Sequence, residues 1–133
     1  MKTYRSIAKS LLAIAFVALL TSAVTSDEII SKEGNATVVN TTSLTKDVIG
    51  YQSPTPVKIY IEGNKVTKIS PLRNKETPKY FQQAKKVLEK FEGKTINKAT
   101  KLNVDGVTGA TMSSDALVKN VKMGLEYYQK QQK

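Results

Sequence analysis

The sequence predicts an α+β domain in which a small antiparallel sheet packs against two main helices. Apolar and polar residues alternate through 57–70 on either side of Gly63-Asn64, which is the pattern of two strands joined by a tight turn. Apolar residues recur at helical spacing between 81 and 91 and again between 118 and 128. Each of these two segments is therefore expected to bury one face of a helix against the sheet.

The N-terminus has the three parts of a signal peptide. Basic residues come first, an uninterrupted apolar run follows at 11–20, and small residues suited to cleavage follow that run. The three basic residues are Lys2, Arg5 and Lys9. Ten apolar residues rise only about 15 Å as a helix, against a hydrocarbon core of about 30 Å. We therefore expect residues 1–26 to be a signal peptide cleaved after Ala23 or Ser26, with an uncleaved N-terminal anchor as the alternative.

The remaining residues, 27–133, are enough for one domain with a modest core. Within it, 27–49 has few apolar positions and predicts one or two short strands with turns. This part of the chain carries 18 lysines and arginines against 11 acidic residues, a net charge of +7. Such a surface favours an acidic partner, anionic lipid or a phosphate-bearing cofactor. Its lysines are scattered, without an aromatic ladder or a basic helix, so a nucleic-acid partner is not expected.

The composition excludes most kinds of redox or metal site that protein side chains can form on their own. The chain contains no His, no Cys and no Trp. It therefore has no thiolate or imidazole nucleophile, no Cys/His zinc site, no c-type haem attachment sequence and no ligands for an iron–sulfur cluster. Any redox chemistry must come from a cofactor that the protein binds and orients.

The first main helix has clear sequence boundaries. Thr77 is a favoured N-cap residue and Pro78 fits the first helical position, while Gly93 predicts the end of the helix. The aromatic residues Phe81 and Phe91 share the apolar face and are interpreted as core, with a surface that stacks on the ring of a cofactor as the alternative.

The segment 96–104 is predicted to be a strand with Ile96, Leu102 and Val104 pointing inward. The second main helix is expected from Asp115 onward, with Asp115 in its first turn, where a carboxylate suits the helix dipole. Its apolar face consists of Val118, Val121, Leu125 and Tyr128.

The most informative segment is the run of small residues before this last helix. It reads Asp105-Gly106-Val107-Thr108-Gly109-Ala110-Thr111 and is followed by Met112-Ser113-Ser114. A loop of this kind entering a helix presents free backbone N–H groups and the positive end of the helix dipole, which favour a phosphate. Read on its own, it also fits a simple turn in which Thr111, Ser113 or Ser114 caps the helix.

The run resembles, position for position, the flavinylation motif Asp-Gly-x-(Ser/Thr)-Gly-Ala-Thr of the FMN-binding domain family. This family includes the C subunit of the sodium-pumping NADH:quinone reductase and the G subunit of the Rnf electron-transfer complex. The resemblance implies that Thr111 carries FMN as a phosphoester, attached by a magnesium-dependent flavin transferase that cleaves FAD and releases AMP. It implies that this enzyme reads Asp105, Gly106, Thr108, Gly109 and Ala110. The site is expected to extend to Met112, Ser113 and Ser114.

The resemblance spans about residues 50–128, beginning at Gly50-Tyr51. Glu76-Thr77-Pro78 matches the first three residues of a Glu-Thr-Pro-Gly sequence found in members, and the chain departs from it at Lys79. Glu76 and Thr77 are expected to face the isoalloxazine ring or the loop that bears it. Because a nearby carboxylate disfavours a phosphate, Asp115 is expected to point away from Thr111.

The sequence thus predicts an exported, covalently flavinylated electron carrier or relay whose redox partners are acidic or membrane-bound proteins. One alternative is a module that binds FMN or another phosphate ligand non-covalently, or serves only for interaction, without redox turnover. Another is a reductase that uses the flavin on a small substrate.

Overall fold

A computed structural model describes residues 28–132, so the predicted signal peptide at 1–26 lies outside the described residues. The α+β prediction is confirmed. The strands are β1 (Ile30–Glu33), β2 (Ala36–Asn40), β3 (Val57–Glu62) and β4 (Lys65–Pro71). The helices are α1 (Pro78–Ala84), a 3₁₀ helix (Lys85–Lys90), α2 (Ile96–Lys101) and α3 (Thr111–Gln131). No helix within the described range is long and apolar enough to cross a membrane.

The four strands form one antiparallel sheet in the order β1-β2-β3-β4. The predicted hairpin is present, with Ile59 opposite Ile69. Its turn residues Gly63 and Asn64 have φ angles of 55° and 62°, as turns of the primed type require. The short strands expected in 27–49 are β1 and β2.

The core lies between one face of the sheet and the helices, with α3 packed on β2 and β3. The alternation in β3 buries Val57, Ile59 and Ile61, as the two-residue period of a strand dictates. Helix α3 meets these strand residues with a row of buried side chains: Leu117, Val121 and Leu125. Phe91 is fully buried, and Phe81 packs against the core from its edge, which confirms the interpretation of this aromatic pair.

The prediction of a strand at 96–104 is wrong, because this segment begins with helix α2. The Thr95 hydroxyl accepts a hydrogen bond from the Lys98 N–H at 3.3 Å, which caps the first turn of that helix. Ile96 and Ala99 are then buried at a spacing of three residues, so the helical period decides which side chains point inward.

The boundaries of the two main helices also differ from prediction. Helix α1 starts at Pro78 as expected, but the Thr77 side chain makes no capping hydrogen bond. The chain tightens into the 3₁₀ helix at Lys85 before Gly93, whose φ is +83°. Helix α3 begins at Thr111, four residues earlier than expected, so Asp115 lies in its second turn and not its first.

A buried amide ties the loop between β2 and β3 to helix α3. The hydroxyls of Thr41 and Thr45 donate to Asn120 Oδ1 at 2.7 and 2.5 Å, and Asn120 Nδ2 donates to the Ala116 carbonyl at 3.0 Å. All three polar side chains are buried, and their mutual bonds offset the cost of removing them from water. The Thr41 hydroxyl also accepts the Val57 N–H at 2.9 Å, so this network fixes both ends of the loop that carries residues 50–53.

Candidate functional site

The glycine-rich run ends exactly where helix α3 begins. Gly109 has a φ of +85°, a conformation that residues with a Cβ rarely adopt. Ala110 is the N-cap residue, and its N–H donates to the Val107 carbonyl at 2.9 Å. This turn makes Thr111 the first residue of the helix.

The Thr111 side chain is exposed at this helix start. Its hydroxyl donates a long hydrogen bond of 3.4 Å to the Val107 carbonyl. The first turn of α3 also carries the backbone N–H groups of Thr111, Met112 and Ser113, and none of the three is hydrogen-bonded to an acceptor within residues 28–132. Free N–H groups together with the positive end of the helix dipole form a suitable environment for an anion at Thr111.

A cleft of about 320 Å³ opens beside Thr111. Three large side chains on its walls are unusually exposed: Tyr51 at 64%, Met112 at 57% and Tyr80 at 48%. The rest of the lining is backbone and small side chains at the start of α3. The cleft is within the size range of small-molecule sites, and its aromatic walls suit a flat, apolar ring system.

Behind this cleft lies a buried carboxylate, Glu76, which is only 6% exposed. Its oxygens accept hydrogen bonds from the backbone N–H groups of Tyr51, Gln52 and Ser53 at 2.7, 2.6 and 3.0 Å. The Ser113 hydroxyl donates a fourth bond, of 2.6 Å. Burial by itself disfavours the charged form, but these hydrogen bonds outweigh burial and hold the pKa of Glu76 below its ordinary value of 4.5.

Gly50 makes room for this carboxylate. A Cβ at position 50 would overlap Glu76 Oε1, so only glycine lets the carboxylate approach the backbone. The Gly50 N–H donates to the Ser53 carbonyl at 2.8 Å, which closes a tight loop around Tyr51. One acidic side chain thus fixes the loop that carries an aromatic wall of the cleft.

The comparison with known proteins identifies the domain that contains this cleft. The family model of the FMN-binding domain matches residues 50–126, more than half of the chain. The chain belongs to the FMN-binding domain family. No curated protein and no solved structure matches it. The matched range of this FMN-binding domain includes both sides of the cleft, from Tyr51 to the first turn of α3.

The described structure brings the second half of the motif to the cleft and leaves the first half outside it. Gly109, Ala110, Thr111, Met112 and Ser113 line the cleft. Other predicted site residues, namely Asp105, Gly106, Thr108, Ser114, Glu76 and Thr77, do not.

Among the residues outside the cleft, Asp105 lines a separate groove, and Thr108 is exposed on the turn before the helix. Thr77 is half-buried at the start of α1. The Asp115 carboxylate packs against Gly106 and lines a shallow depression next to Met112.

The simple-turn interpretation expects Ser113 or Ser114 to cap helix α3. Neither serine does so in the structure. Ser113 bonds to Glu76, whereas the Ser114 hydroxyl accepts from the Val107 N–H at 2.9 Å and donates to the Thr111 carbonyl at 3.1 Å. Both serines are buried. They fix the motif loop and the loop around Tyr51 relative to the helix.

Sequence reasoning missed the roles of Gly50 and Asn120. The sequence marks Gly50 only as the start of the resemblance, and nothing local indicates that a carboxylate 26 residues away needs the space. Asn120 lies on the buried face of helix α3. A polar residue among the apolar residues of that face is the signal in the sequence that could have indicated its role.

Proposed function

We propose that the protein is an exported electron carrier whose FMN is bound covalently, through a phosphoester to Thr111. FMN binding follows from the family. The observation that supports covalent attachment is the position of the motif Thr, with its exposed hydroxyl at the first residue of α3 and beside the aromatic cleft.

The two parts of FMN fit the two parts of the site. A phosphate on Thr111 lies within reach of the free N–H groups at the start of α3. Beside it, Tyr51, Tyr80 and Met112 offer the apolar and aromatic surface of the cleft and would hold the isoalloxazine ring there. Because these three side chains are exposed, the ring would stay accessible to a partner protein.

Formation of the phosphoester needs an enzyme from outside this chain. A Thr hydroxyl is a weak nucleophile without a base, and within residues 28–132 the hydroxyl of Thr111 is bonded only to a carbonyl. The same described residues contain no cluster of acidic residues that would hold a metal ion. A magnesium-dependent flavin transferase would supply both the base and the metal.

FAD is the donor of FMN in the proposed transfer. The Thr111 oxygen attacks the phosphorus on the FMN side of the FAD diphosphate, and the bond from that phosphorus to the bridging oxygen breaks. AMP leaves with the bridging oxygen, and the hydroxyl proton passes to a base of the transferase. The electrophile is stabilised by Mg²⁺ on the diphosphate.

The bound FMN supplies the redox chemistry, because it accepts two electrons and passes them on singly or together. The chain has no His and no Cys, so a reductase with its own substrate would lack imidazole and thiol groups for its chemistry. A carrier or relay needs only a bound flavin, an exposed ring and a surface for its redox partners.

The basic, apolar and small-residue segments of residues 1–26 support export across the cytoplasmic membrane. Acidic or membrane-bound redox proteins are the expected partners. The net charge of +7 on residues 27–133 favours their approach at low ionic strength.

Covalent attachment is tested by expressing the protein together with a flavin transferase, denaturing it and separating free flavin by gel filtration. We expect flavin absorbance to remain with the chain and the peptide containing Thr111 to gain the mass of one FMN residue. Flavin that separates from the denatured chain indicates the non-covalent binding module. A colourless chain with unmodified Thr111 contradicts the proposal.

A further inference from the structure

A second groove lies on the other side of the motif loop, formed by the 3₁₀ helix, the turn after it and the segment that follows α2. It has a volume of about 640 Å³. Lys86, Lys90 and Lys94 line it above a floor of apolar side chains that includes Leu102 and Val107. Lys94 and Leu102 also line an adjoining depression, which adds two more lysines, Lys98 and Lys101. We call this continuous feature the lysine groove.

Much of the positive charge of the domain is concentrated here. The lining of the groove carries five lysines and two carboxylates, Glu89 and Asp105, which gives +3 of the net +7 on residues 27–133. The nearby Glu92 lies outside the lining, and its carboxylate accepts the Ile69 N–H at 2.9 Å. In the part of the chain that the structure describes, the ion pair present joins Lys58 to Glu33, so the five groove lysines are not paired with carboxylates.

The lysine groove is in direct contact with the motif. Asp105 and Val107 line it, and the Val107 carbonyl accepts the hydrogen bond from the Thr111 hydroxyl. The cleft opens instead on residues 109–113, which are the end of the motif and the two residues after it. A protein bound in the lysine groove therefore reaches the motif loop while the cleft stays open for a flavin.

The chemistry at Thr111 indicates which partner would need this position. An enzyme that transfers FMN must bring Mg²⁺, and proteins hold this ion through carboxylates together with the phosphates of the substrate. We therefore expect an acidic surface around its active site. Unpaired lysines beside the acceptor Thr are complementary to such a surface and increase the rate of encounter.

We propose that the lysine groove is the docking surface for the acidic, magnesium-binding face of the flavin transferase that modifies Thr111. This inference rests on the proposed function. A redox partner has a different surface available, at the mouth of the cleft, where Tyr51, Tyr80 and Met112 are exposed. A flat anionic membrane fits the groove poorly because the groove is concave, whereas the two carboxylates of its lining, Glu89 and Asp105, are outnumbered by its five lysines.

The test measures initial rates of covalent flavin incorporation as a function of protein concentration, with a flavin transferase, FAD and Mg²⁺. The groove variant replaces Lys86, Lys90 and Lys94 by Glu, all three of which are exposed. The control variant makes the same change at exposed lysines outside the groove, namely Lys32, Lys46 and Lys68. Both variants change the net charge equally, and thermal unfolding checks that both are folded.

At about 50 mM salt we expect the groove variant to lose at least about tenfold in kcat/KM, through a higher KM, while the control variant stays within about twofold of the wild type. The difference should disappear at about 0.5 M salt, where the screening length is only about 4 Å.

Four results would overturn the docking proposal. The first is an equal loss of kcat/KM in both variants, and the second is a loss confined to kcat. In the third, the groove variant is flavinylated normally but exchanges electrons more slowly once it is fully loaded. In the fourth, the groove variant is flavinylated normally but no longer binds vesicles containing anionic phosphatidylglycerol. The third result assigns the groove to a redox partner and the fourth to a membrane. If the wild-type protein takes no flavin at Thr111, the proposed function itself is contradicted. This outcome is distinct from the four that contradict docking alone.

Discussion

The Ser113 hydroxyl donates a 2.6 Å hydrogen bond to Glu76 Oε1, across 37 residues of sequence. The same carboxylate accepts the three backbone N–H groups of residues 51–53. One buried side chain therefore connects the first turn of α3, which carries Thr111, to the loop that carries Tyr51. A single buried carboxylate thus fixes the two sides of the cleft relative to each other.

Replacing Glu76 by Gln should therefore destabilise the domain. The amide offers one acceptor oxygen in place of two, and its NH₂ group faces N–H donors that it cannot accept from. We expect a loss of about 2–3 kcal/mol in the free energy of unfolding, measured by urea denaturation.

The matched control for this substitution is Glu92→Gln. The Glu92 carboxylate also bonds to a backbone N–H, that of Ile69, but it accepts only this one and lies away from the cleft. The Gln carbonyl can keep this single bond, so the cost should stay below about 1 kcal/mol. Equal costs for the two variants would show that the four-bond arrangement at Glu76 adds nothing.

The lowered pKa of Glu76 makes this stabilisation depend on pH. The folded pKa lies below the unfolded value near 4.5, so the carboxylate stabilises the fold above pH 4.5 and loses its contribution as the pH falls through the folded pKa. The difference in unfolding free energy between wild type and Glu76→Gln should be largest above about pH 5 and shrink below about pH 4. A difference that stays constant from pH 7 to pH 3 would contradict the role of the charge.

The space beside Gly50 gives an independent check on the same contact. In Gly50→Ala the new methyl overlaps the Glu76 carboxylate, so one of the two must move. We expect this substitution alone to cost about 2 kcal/mol or more in urea denaturation. Combined with Glu76→Gln, the two losses should fall short of additivity by at least about 0.5 kcal/mol, because both disrupt one interaction. Additive losses would mean that Gly50 and Glu76 act separately.

How much of this site the sequence could reveal depends on the range of each interaction. The hairpin at 57–70 and the helical faces were predictable because alternation and helical spacing are local patterns. The motif placed Thr111 near a helix entrance for the same reason, although the helix begins four residues earlier than expected. The bond between Glu76 and Ser113 joins distant segments, and no local pattern shows which serine a carboxylate will meet once the chain has folded.

The segment 96–104 shows a different limit. Its apolar residues fit a strand by composition, but the Thr95 side chain caps a helical turn, and that short-range hydrogen bond prevails. Similarly, Ser113 and Ser114 are typical N-cap residues, yet Ser113 bonds to the buried carboxylate of Glu76 and Ser114 to the half-buried Val107 N–H. In both cases the sequence allowed two structures, and a hydrogen bond selected one.

Substitutions in the first turn of α3 separate the acceptor from its supports. Thr111→Val removes the hydroxyl with little change in volume, so the domain should stay folded and carry no covalent flavin. Ser114→Ala and Ser113→Ala should both keep flavin on Thr111. Intact mass after expression with a flavin transferase gives the readout. Flavin that is lost with either serine and retained with Thr111→Val would move the attachment site.

The two serine variants should also differ in stability. Ser114→Ala leaves the half-buried Val107 N–H without its acceptor, at a cost of about 1 kcal/mol. Ser113→Ala takes one hydrogen bond from a buried carboxylate and should cost about 1.5–3 kcal/mol, more than a lost helix cap alone would explain. Urea denaturation of the two variants without flavin measures both costs.

The aromatic walls of the cleft should affect the fluorescence of the flavin ring. A tyrosine in contact with an isoalloxazine ring quenches its fluorescence, and Tyr51 and Tyr80 are the two tyrosines that line the cleft. Tyr51→Leu and Tyr80→Leu should each increase the fluorescence yield of the covalent flavin at unchanged flavin content. Tyr127→Leu, on α3 outside the cleft, is the matched control and should leave the yield unchanged. Glu76→Gln should also increase the yield, because it releases the loop that holds Tyr51 in place. If the yield responds to neither cleft tyrosine, the ring lies outside the cleft even when its phosphate is on Thr111.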